Sequence, residues 1–333
     1  MTNLATATVM LLRQPGAELV AVERRLPAPG PGQLRIRVEA CGVCRTDLHV
    51  ADGDLPQAVY PVVPGHEVVG IVEERGDGVD GPIPGQRVGV PWLAWACGQC
   101  VACLGGRENL CDAAQFTGCT RDGGFATHLL AEAAFCIRLP MAADAMHLAP
   151  MLCAGLIGWR AMQAAGDCPR LGLYGFGAAA HLVAQIARVR GERVFAFTRP
   201  GDVVAQDFAR SLGACWAGGS DQPPPEPLDG ALLFAPVGGL VPTALGAVRK
   251  GGRVVCAGIH MSDIPSFPYR LLWGERQLSS VANLTRADAR GFLAAAAETN
   301  LESHVRPYPL RAANDALSDL RAGRFSGAAV LIP

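Results

Sequence analysis

Four cysteines crowded into one short stretch, Cys97-x2-Cys100-x2-Cys103-x7-Cys111, constrain this chain more than any other feature. Thiols so close in sequence, with Gly98, Gly105 and Gly106 between them to let the backbone turn, can wrap one tetrahedral ion, and four sulfurs suit zinc. Such a site leaves no coordination position open. The spacing therefore predicts a structural zinc on Cys97, Cys100, Cys103 and Cys111. A Cys-x2-Cys-x2-Cys run also holds iron–sulfur clusters, which stands as the alternative for these four residues. The stretch Met1–Leu12 lacks the basic start and small-residue cleavage site of a signal peptide. Twelve cysteines in such a chain argue for metal binding or free thiols rather than disulfides, and the expected location is cytoplasmic.

A second set of donors lies upstream, in Cys41-Gly-Val-Cys44-Arg45-Thr46-Asp47-Leu48-His49 and Gly65-His66-Glu67. Cys44 and His66 offer a thiolate and an imidazole, donors that zinc prefers. Around them stand a hydroxyl (Thr46), a second imidazole (His49) and two carboxylates (Asp47 and Glu67). These are the groups needed to move a proton beside a metal. Two ligands alone leave the set short. Cys153, in Pro150-Met-Leu-Cys153-Ala-Gly155 at the expected junction of two domains, is the candidate third, which would set the metal at the mouth of a cleft.

A length of 333 residues exceeds what one core usually serves, so two domains are expected. From Thr6 to about Leu139 the pattern is of short strands broken by Gly and Pro: Leu34–Val38 alternates with period two, and Val68–Val72 and Gln86–Val90 are apolar runs. Asp144–Gly166 reads as helix interrupted near Pro150. Strand and helix then alternate: Leu171–Gly175, a helix from about Ala178, Arg193–Thr198, a helix to about Gly213, Ala231–Ala235 and Arg253–Gly258. That rhythm predicts a doubly wound parallel sheet. The tail reads as one helix, Arg311–Gly323, and a last strand, Ala328–Ile332. The expected division is 1–145, rejoined by 286–333, and 146–285. A net charge of −1 and a pI near 6.6 point away from nucleic acid and acidic membrane surfaces. The longest apolar run, Leu148–Trp159, is too short to span a bilayer.

Between the first strand and helix of the alternating half stands Leu173-Tyr-Gly175-Phe-Gly177-Ala-Ala179-Ala180-His181. Gly175 permits a tight turn, and Gly177 lets the backbone approach a pyrophosphate at a helix N-terminus. Ala179 lies in the same turn, and Ala180 takes the third small position. This context predicts dinucleotide binding. The second strand ends Phe197-Thr198-Arg199-Pro200, without the carboxylate that usually grips the ribose of NAD. Arg199 instead offers a planar, permanent charge for a 2′-phosphate, with Thr198 as a donor. NADP is therefore the expected cofactor, with NAD the alternative.

Taken together, Gly-Val-Cys-x-Thr-Asp-x-x-His, Gly-His-Glu, the four-cysteine lobe, Cys-Ala-Gly and the Gly-x-Gly turn resemble the zinc-containing medium-chain alcohol dehydrogenases over essentially the whole chain. The resemblance implies a mostly-β GroES-like catalytic domain beside a Rossmann domain. It implies two zinc ions per chain: a catalytic one on Cys44, His66 and Cys153 with Glu67 beside it, and a structural one on the cysteine lobe. Asp47 would fix the tautomer of His66. Thr46 and His49 would relay the proton through the nicotinamide ribose, and Trp92 would wall the substrate pocket. It further implies reversible hydride transfer between a small alcohol and NAD(P), and a homodimer or homotetramer. Three positions depart from many relatives: Ile157 replaces a threonine, Ala328 replaces an arginine on the pyrophosphate, leaving Arg45 as the phosphate contact, and Thr198-Arg199 replaces the acid. A polyol dehydrogenase or a specialised aldehyde reductase is the alternative on the same scaffold. A non-catalytic zinc- and dinucleotide-binding redox sensor is the alternative of another class.

Overall fold

The computed structural model describes residues 5–333. The chain opens with β1 (Ala5–Leu11), β2 (Val20–Leu26), β3 (Gln33–Val43), α1 (Arg45–Asp52), β4 (Glu67–Arg75), β5 (Arg87–Val90) and β6 (Leu93–Trp95). The cysteine lobe contributes α2 (Val101–Leu104), and β7 (Gln115–Phe116), β8 (His128–Glu132), β9 (Ile137–Arg138) and α3 (Ala145–Leu148) follow. Next come α4 (Ala154–Ala165), β10 (Arg170–Tyr174), α5 (Ala178–Val189), β11 (Arg193–Thr198), α6 (Val203–Ser211) and β12 (Trp216–Gly219). After β13 (Leu228–Leu233), α7 (Leu240–Ala247), β14 (Val248–Cys256) and β15 (Gln277–Ser280), the tail holds α8 (Arg286–Thr299), β16 (Val305–Pro309), α9 (Ala313–Ala322) and β17 (Ala328–Ile332).

Two compact units emerge from the contacts. The first runs to Cys153 and takes back Leu284–Ala289 and Ser303–Pro333; the second is Ala154–Asn283 with Arg290–Glu302. The first is built on a seven-stranded sheet in the order β16-β17-β3-β4-β5-β9, with β8 also on β3. Its core gathers Leu34, Ile36, Val68, Val88, Phe125 and Leu331, all under 2 % exposed. The alternation read at Leu34–Val38 belongs to this sheet, but β3 continues to Val43 and so delivers the chain to Cys44.

The second unit holds six parallel strands in the order β12-β11-β10-β13-β14-β15. This is the doubly wound order, with β10 at the switch point beside β13. Tyr174, Phe195, Phe197 and Leu233 fill its core, with the Tyr174 and Phe197 rings stacked 4.1 Å apart. The helical stretch expected at 144–166 breaks where Pro150 interrupts it, leaving α3, a 3₁₀ turn at Ala149–Leu152 and α4.

Two elements of the tail differ from the sequence reading. Arg286–Thr299 is a helix, started by a Thr285 N–H that donates to Asp288 Oδ2 (2.7 Å); the Thr-x-x-Asp spacing is its signal in the sequence. The segment from 290 to 302 also packs in the second unit rather than returning to the first. The reason is steric: Gly155 and Gly291 leave room for the Phe292 and Trp159 rings, and Gln185 bonds both the N–H and the C=O of Glu302. No helix among the described residues is long and apolar enough to cross a membrane.

One carboxylate staples three strands of the parallel sheet. Asp229 on β13 takes three bonds from Arg170, one from its backbone N–H and two from its guanidinium, and a fourth from Arg249 Nε at 2.6 Å. These bonds hold the Asp229 carboxyl down to about 2, Arg170 contributing most. A depressed carboxylate stabilises the fold above its unfolded pKa of about 3.9, and that contribution is lost as pH falls toward the folded value. Asp229→Asn should therefore lower unfolding stability near neutral pH by on the order of 2 kcal/mol. Denaturant melts should show this difference shrinking between about pH 4 and pH 2, the window set by the two pKa values.

Candidate metal centres and nucleotide turn

Helix α1 begins at a thiol. Cys44 is its N-cap: Sγ accepts the N–H of Thr46 (3.3 Å), while the Asp47 carboxylate accepts the N–H of Cys44 (2.8 Å). This reciprocal pair is a capping box with sulfur in place of the usual hydroxyl. A helix N-terminus also favours negative charge on that sulfur. The other Asp47 oxygen accepts the N–H of Gly65 (3.1 Å) and lies 3.3 Å from His66 Nδ1. Nδ1 makes no hydrogen bond there, so the contact is one of charge. Gly65 has φ +97°, and a side chain there would press within 2.8 Å of Cys41 Sγ and of the Phe125 backbone nitrogen. Only glycine turns the chain into His66 at that place.

Four donors then converge. Cys44 Sγ lies 3.1 Å from His66 Nε2 and 3.9 Å from Cys153 Sγ, and one donor atom each from Cys44, His66, Glu67 and Cys153 lie within 4.8 Å of one another. His66 and Glu67 are 1 % exposed, Asp47 not at all. The Cys153 contact holds the Cys44 thiol well below its ordinary value, helped by His66. Burial pushes Glu67 well above the carboxylate range, with the Cys44 charge adding to it. Burial opposes charge on His66, but Cys44 and Asp47 together raise it well above its ordinary value. Glu67 Oε2 is buried without a hydrogen-bond partner. A buried carboxylate beside two sulfurs and an imidazole is negative charge that a bound dication would offset. A tetrahedral zinc with bonds of about 2.3 Å sets two sulfurs about 3.8 Å apart, so the spacing of Cys44 and Cys153 fits the ion.

Thr46 and His49 stand one turn apart on one side of α1. His49 Nδ1 is 2.8 Å from Asp54 Oδ2, a partner the sequence reading missed. Its signal was Gly53, whose left-handed C-cap (φ 83°) turns the chain so that residue 54 returns toward the helix. Trp92, 4 % exposed, sets its edge against the His66 ring (5.0 Å) and stacks on Phe116 (5.1 Å). Arg45 is the exposed first residue of α1.

The cysteine lobe gathers its own four donors: Cys97, Cys100, Cys103 and Cys111 lie within 4.8 Å of one another, with Cys97 and Cys103 sulfurs 3.9 Å apart. Backbone N–H groups point at the sulfurs: Cys100 N–H at Cys97 (3.4 Å), Cys103 N–H at Cys100 (3.5 Å) and Cys97 N–H at Cys111 (3.5 Å). Amides of Gln99 and Cys100 hold Cys97 down to about 6, while burial pushes Cys103 up to about 12. Local backbone geometry thus favours negative charge at Cys97, and the four gathered sulfurs fit a four-thiolate ion.

In the second unit, Gly175 closes β10 with φ +89°, and a Cβ there would stand 2.8 Å from the Ala235 nitrogen. Gly177 is the exposed N-cap of α5 with no side-chain cap, and a Cβ on it would meet nothing within 4 Å. The orphan N–H groups of the first turn, which includes Ala179 and buried Ala180, open there onto free space, which fits a pyrophosphate. Thr198, 4 % exposed, lies within hydrogen-bond reach of the carbonyls of Arg199 (3.0 Å) and Gly218 (3.4 Å) and accepts from Gln206 Nε2 (3.2 Å). Its hydroxyl braces the turn, and Arg199 beside it is exposed. Asp202 caps α6 at the Ala205 N–H (3.0 Å), which holds its carboxylate to the helix. Ile157 is half-buried in α4, and Ala328 is buried as the first residue of β17.

Residues 30–141 match the alcohol dehydrogenase GroES-like domain. Over 340 aligned residues, 98 % of each chain, the sequence is 46 % identical to a protein described as "Probable alcohol dehydrogenase AdhA" from Mycobacterium tuberculosis (strain CDC 1551 / Oshkosh). A cobalt- and zinc-bound thermostable alcohol dehydrogenase from Pyrobaculum aerophilum superposes with a TM-score of 0.90 at 26 % identity, over 99 % of this chain and 100 % of that one. A dehydrogenase from Sinorhizobium meliloti 1021, described as zinc-binding and solved with NADP, gives a TM-score of 0.88 at 26 % identity over the same shares. With its two sets of thiol donors, its GroES-like and doubly wound sheets and these relatives, the chain belongs to the zinc-containing medium-chain alcohol dehydrogenase family.

Proposed function

We propose that this alcohol dehydrogenase holds a catalytic zinc on Cys44, His66 and Cys153, a structural zinc on Cys97, Cys100, Cys103 and Cys111, and uses NADP. The observation that carries the reading is the convergence of two thiols, a buried imidazole and an unpartnered buried carboxylate at the start of α1. When bound, zinc acts as a Lewis acid on an alcohol or carbonyl oxygen, and the nicotinamide takes or returns the hydride. The chain's own residues do the rest. Asp47, facing Nδ1, keeps the ring of His66 oriented with Nε2 toward Cys44, so that the neutral imidazole would offer the Nε2 lone pair to the metal. Thr46, whose own N–H is fixed on Cys44 Sγ, offers its hydroxyl as the first proton acceptor. His49, oriented by Asp54, takes the proton onward to solvent. Trp92 fixes the other edge of His66 and narrows the space beside it for a small alcohol. In the second unit the first turn of α5, with Gly175, Gly177, Ala179 and Ala180, takes the cofactor pyrophosphate, and in the first unit Arg45 offers an exposed cation for a phosphate. Absorbance at 340 nm, followed with a panel of alcohols and carbonyls and with both NADP and NAD, tests the reading and identifies the substrate.

Metal analysis of freshly purified protein should find two zinc ions per chain. Cys44→Ser or His66→Ala should abolish turnover in a folded protein, whereas Cys100→Ser should first lower thermal stability, because structural metal binding is coupled to folding. Finding one zinc or none in active protein would refute this assignment.

His49→Gln should slow alcohol oxidation by on the order of 10²-fold, most at low pH, while zinc content is unchanged. An unaltered pH–rate profile would mean that the proton leaves by another route.

The NADP preference rests on Arg199. Its side chain is exposed, and the nearest carboxylate in sequence, Asp202, is held as a helix cap. A charge-assisted phosphate contact is worth roughly 1.5–3 kcal/mol, so Arg199→Ala should reduce kcat/KM for NADP by about tenfold to a hundredfold and leave NAD unchanged. Equal losses with both cofactors would count against the assignment.

A further inference from the structure

Gly42 lies inside β3, a central strand, with Val330 of β17 opposite on one side and Glu67 of β4 opposite on the other. Glycine weakens a strand interior, and it marks places where something must approach the backbone closely. Conformation does not require it, because Gly42 is not among the residues with positive φ. Space does. A Cβ on Gly42 would overlap Glu67 Oε2 and stand 2.7 Å from its Cδ and 2.9 Å from its Cβ. The Glu67 carboxylate is therefore folded back over bare backbone, with Oε2 buried and unpartnered. Its other neighbours are the donor atoms of Cys44, His66 and Cys153, all within 4.8 Å.

We propose that Gly42 is a positioning residue: its missing side chain gives Glu67 a place to withdraw, which keeps the fourth position of the metal open for substrate. The proposal rests on Cys44, His66 and Cys153 being the metal ligands. Three protein ligands and an exchangeable position make a catalytic zinc, whereas four close it. A single methyl at residue 42 removes the berth against β3 and drives the carboxylate toward the donors. The centre then gains a fourth protein ligand and loses the position at which an alcohol oxygen would bind.

The test compares wild-type holoenzyme with Gly42→Ala, Glu67→Gln and Gly42→Ala/Glu67→Gln. Gly42→Ala should keep its zinc and release it to a chelator about tenfold more slowly, a change of the size usual for groups that support a metal site. With cobalt at the catalytic position, its visible spectrum should no longer shift on adding imidazole as an external ligand, and kcat should fall. Adding Glu67→Gln to Gly42→Ala should restore the response to imidazole. A Gly42→Ala cobalt protein that binds imidazole like wild type overturns the proposal, and so does zinc release at the wild-type rate or faster. If Gly42→Ala does not fold, Gly42→Ala/Glu67→Gly, which removes every overlapping atom of residue 67, must fold; its failure would mean that the strand itself requires glycine, and the proposal falls. Wild-type protein holding no metal that depends on Cys44 would instead overturn the ligand assignment beneath both readings.

Discussion

Asp47 ties the first unit's donor residues together through one buried carboxylate. One oxygen takes the N–H of Cys44, and the other takes the N–H of Gly65 and faces His66. Helix α1 and the loop before β4 are eighteen residues apart in sequence at these contacts, and this group fixes both to each other. Burial raises Asp47 above the usual carboxylate range even though the charge of His66 pulls it down. Such a group is stable as an anion only while its hydrogen bonds and its imidazole partner stay in place. The positions of Cys44 and His66 therefore depend on a residue that itself offers no ligand.

The two thiol sites follow different logics. In the cysteine lobe, all four sulfurs come from a single loop, and each amide that points at a sulfur lies within fourteen residues. Local backbone geometry makes the site, so metal and loop order each other. The lobe is also tied outward: Glu108 accepts from the backbone N–H and the Nε of Arg286 at the start of α8. The Cys44 centre draws on β3, the loop before β4 and the turn ahead of α4. It is assembled by strand pairing rather than by one loop.

In the second unit, the same economy governs the nucleotide turn. Gly175 is required because Ala235 at the end of β13 comes within 2.8 Å of where a Cβ would stand, and because its φ is +89°. Nothing in the chain itself demands glycine at Gly177, since the space beside it is open; that space is what the proposed pyrophosphate would take. Thr198, Asp202 and Gln206 bond within the turn after β11 and leave Arg199 as its outward charge.

Much of this was legible in the residues. Cysteine spacing, the Gly-x-Gly turn and the alternation of strand and helix each encode a local constraint, and so they named both donor sets, the dinucleotide turn and the parallel sheet. The helix at Arg286–Thr299 was equally local, announced by Thr285 and Asp288, but its alanine-rich body gave little periodic contrast. Other features had no local signature. That Asp54 orients His49, that Thr198 turns its hydroxyl inward and that Gly42 leaves room for Glu67 are facts about groups brought together by strand register and turn geometry. A sequence states which donors exist and how they are spaced. Which of them face one another, and which glycine is a vacancy rather than a hinge, is decided only when the sheet pairs residue 42 with residue 67, because side-chain overlap depends on distances across strands rather than along the chain.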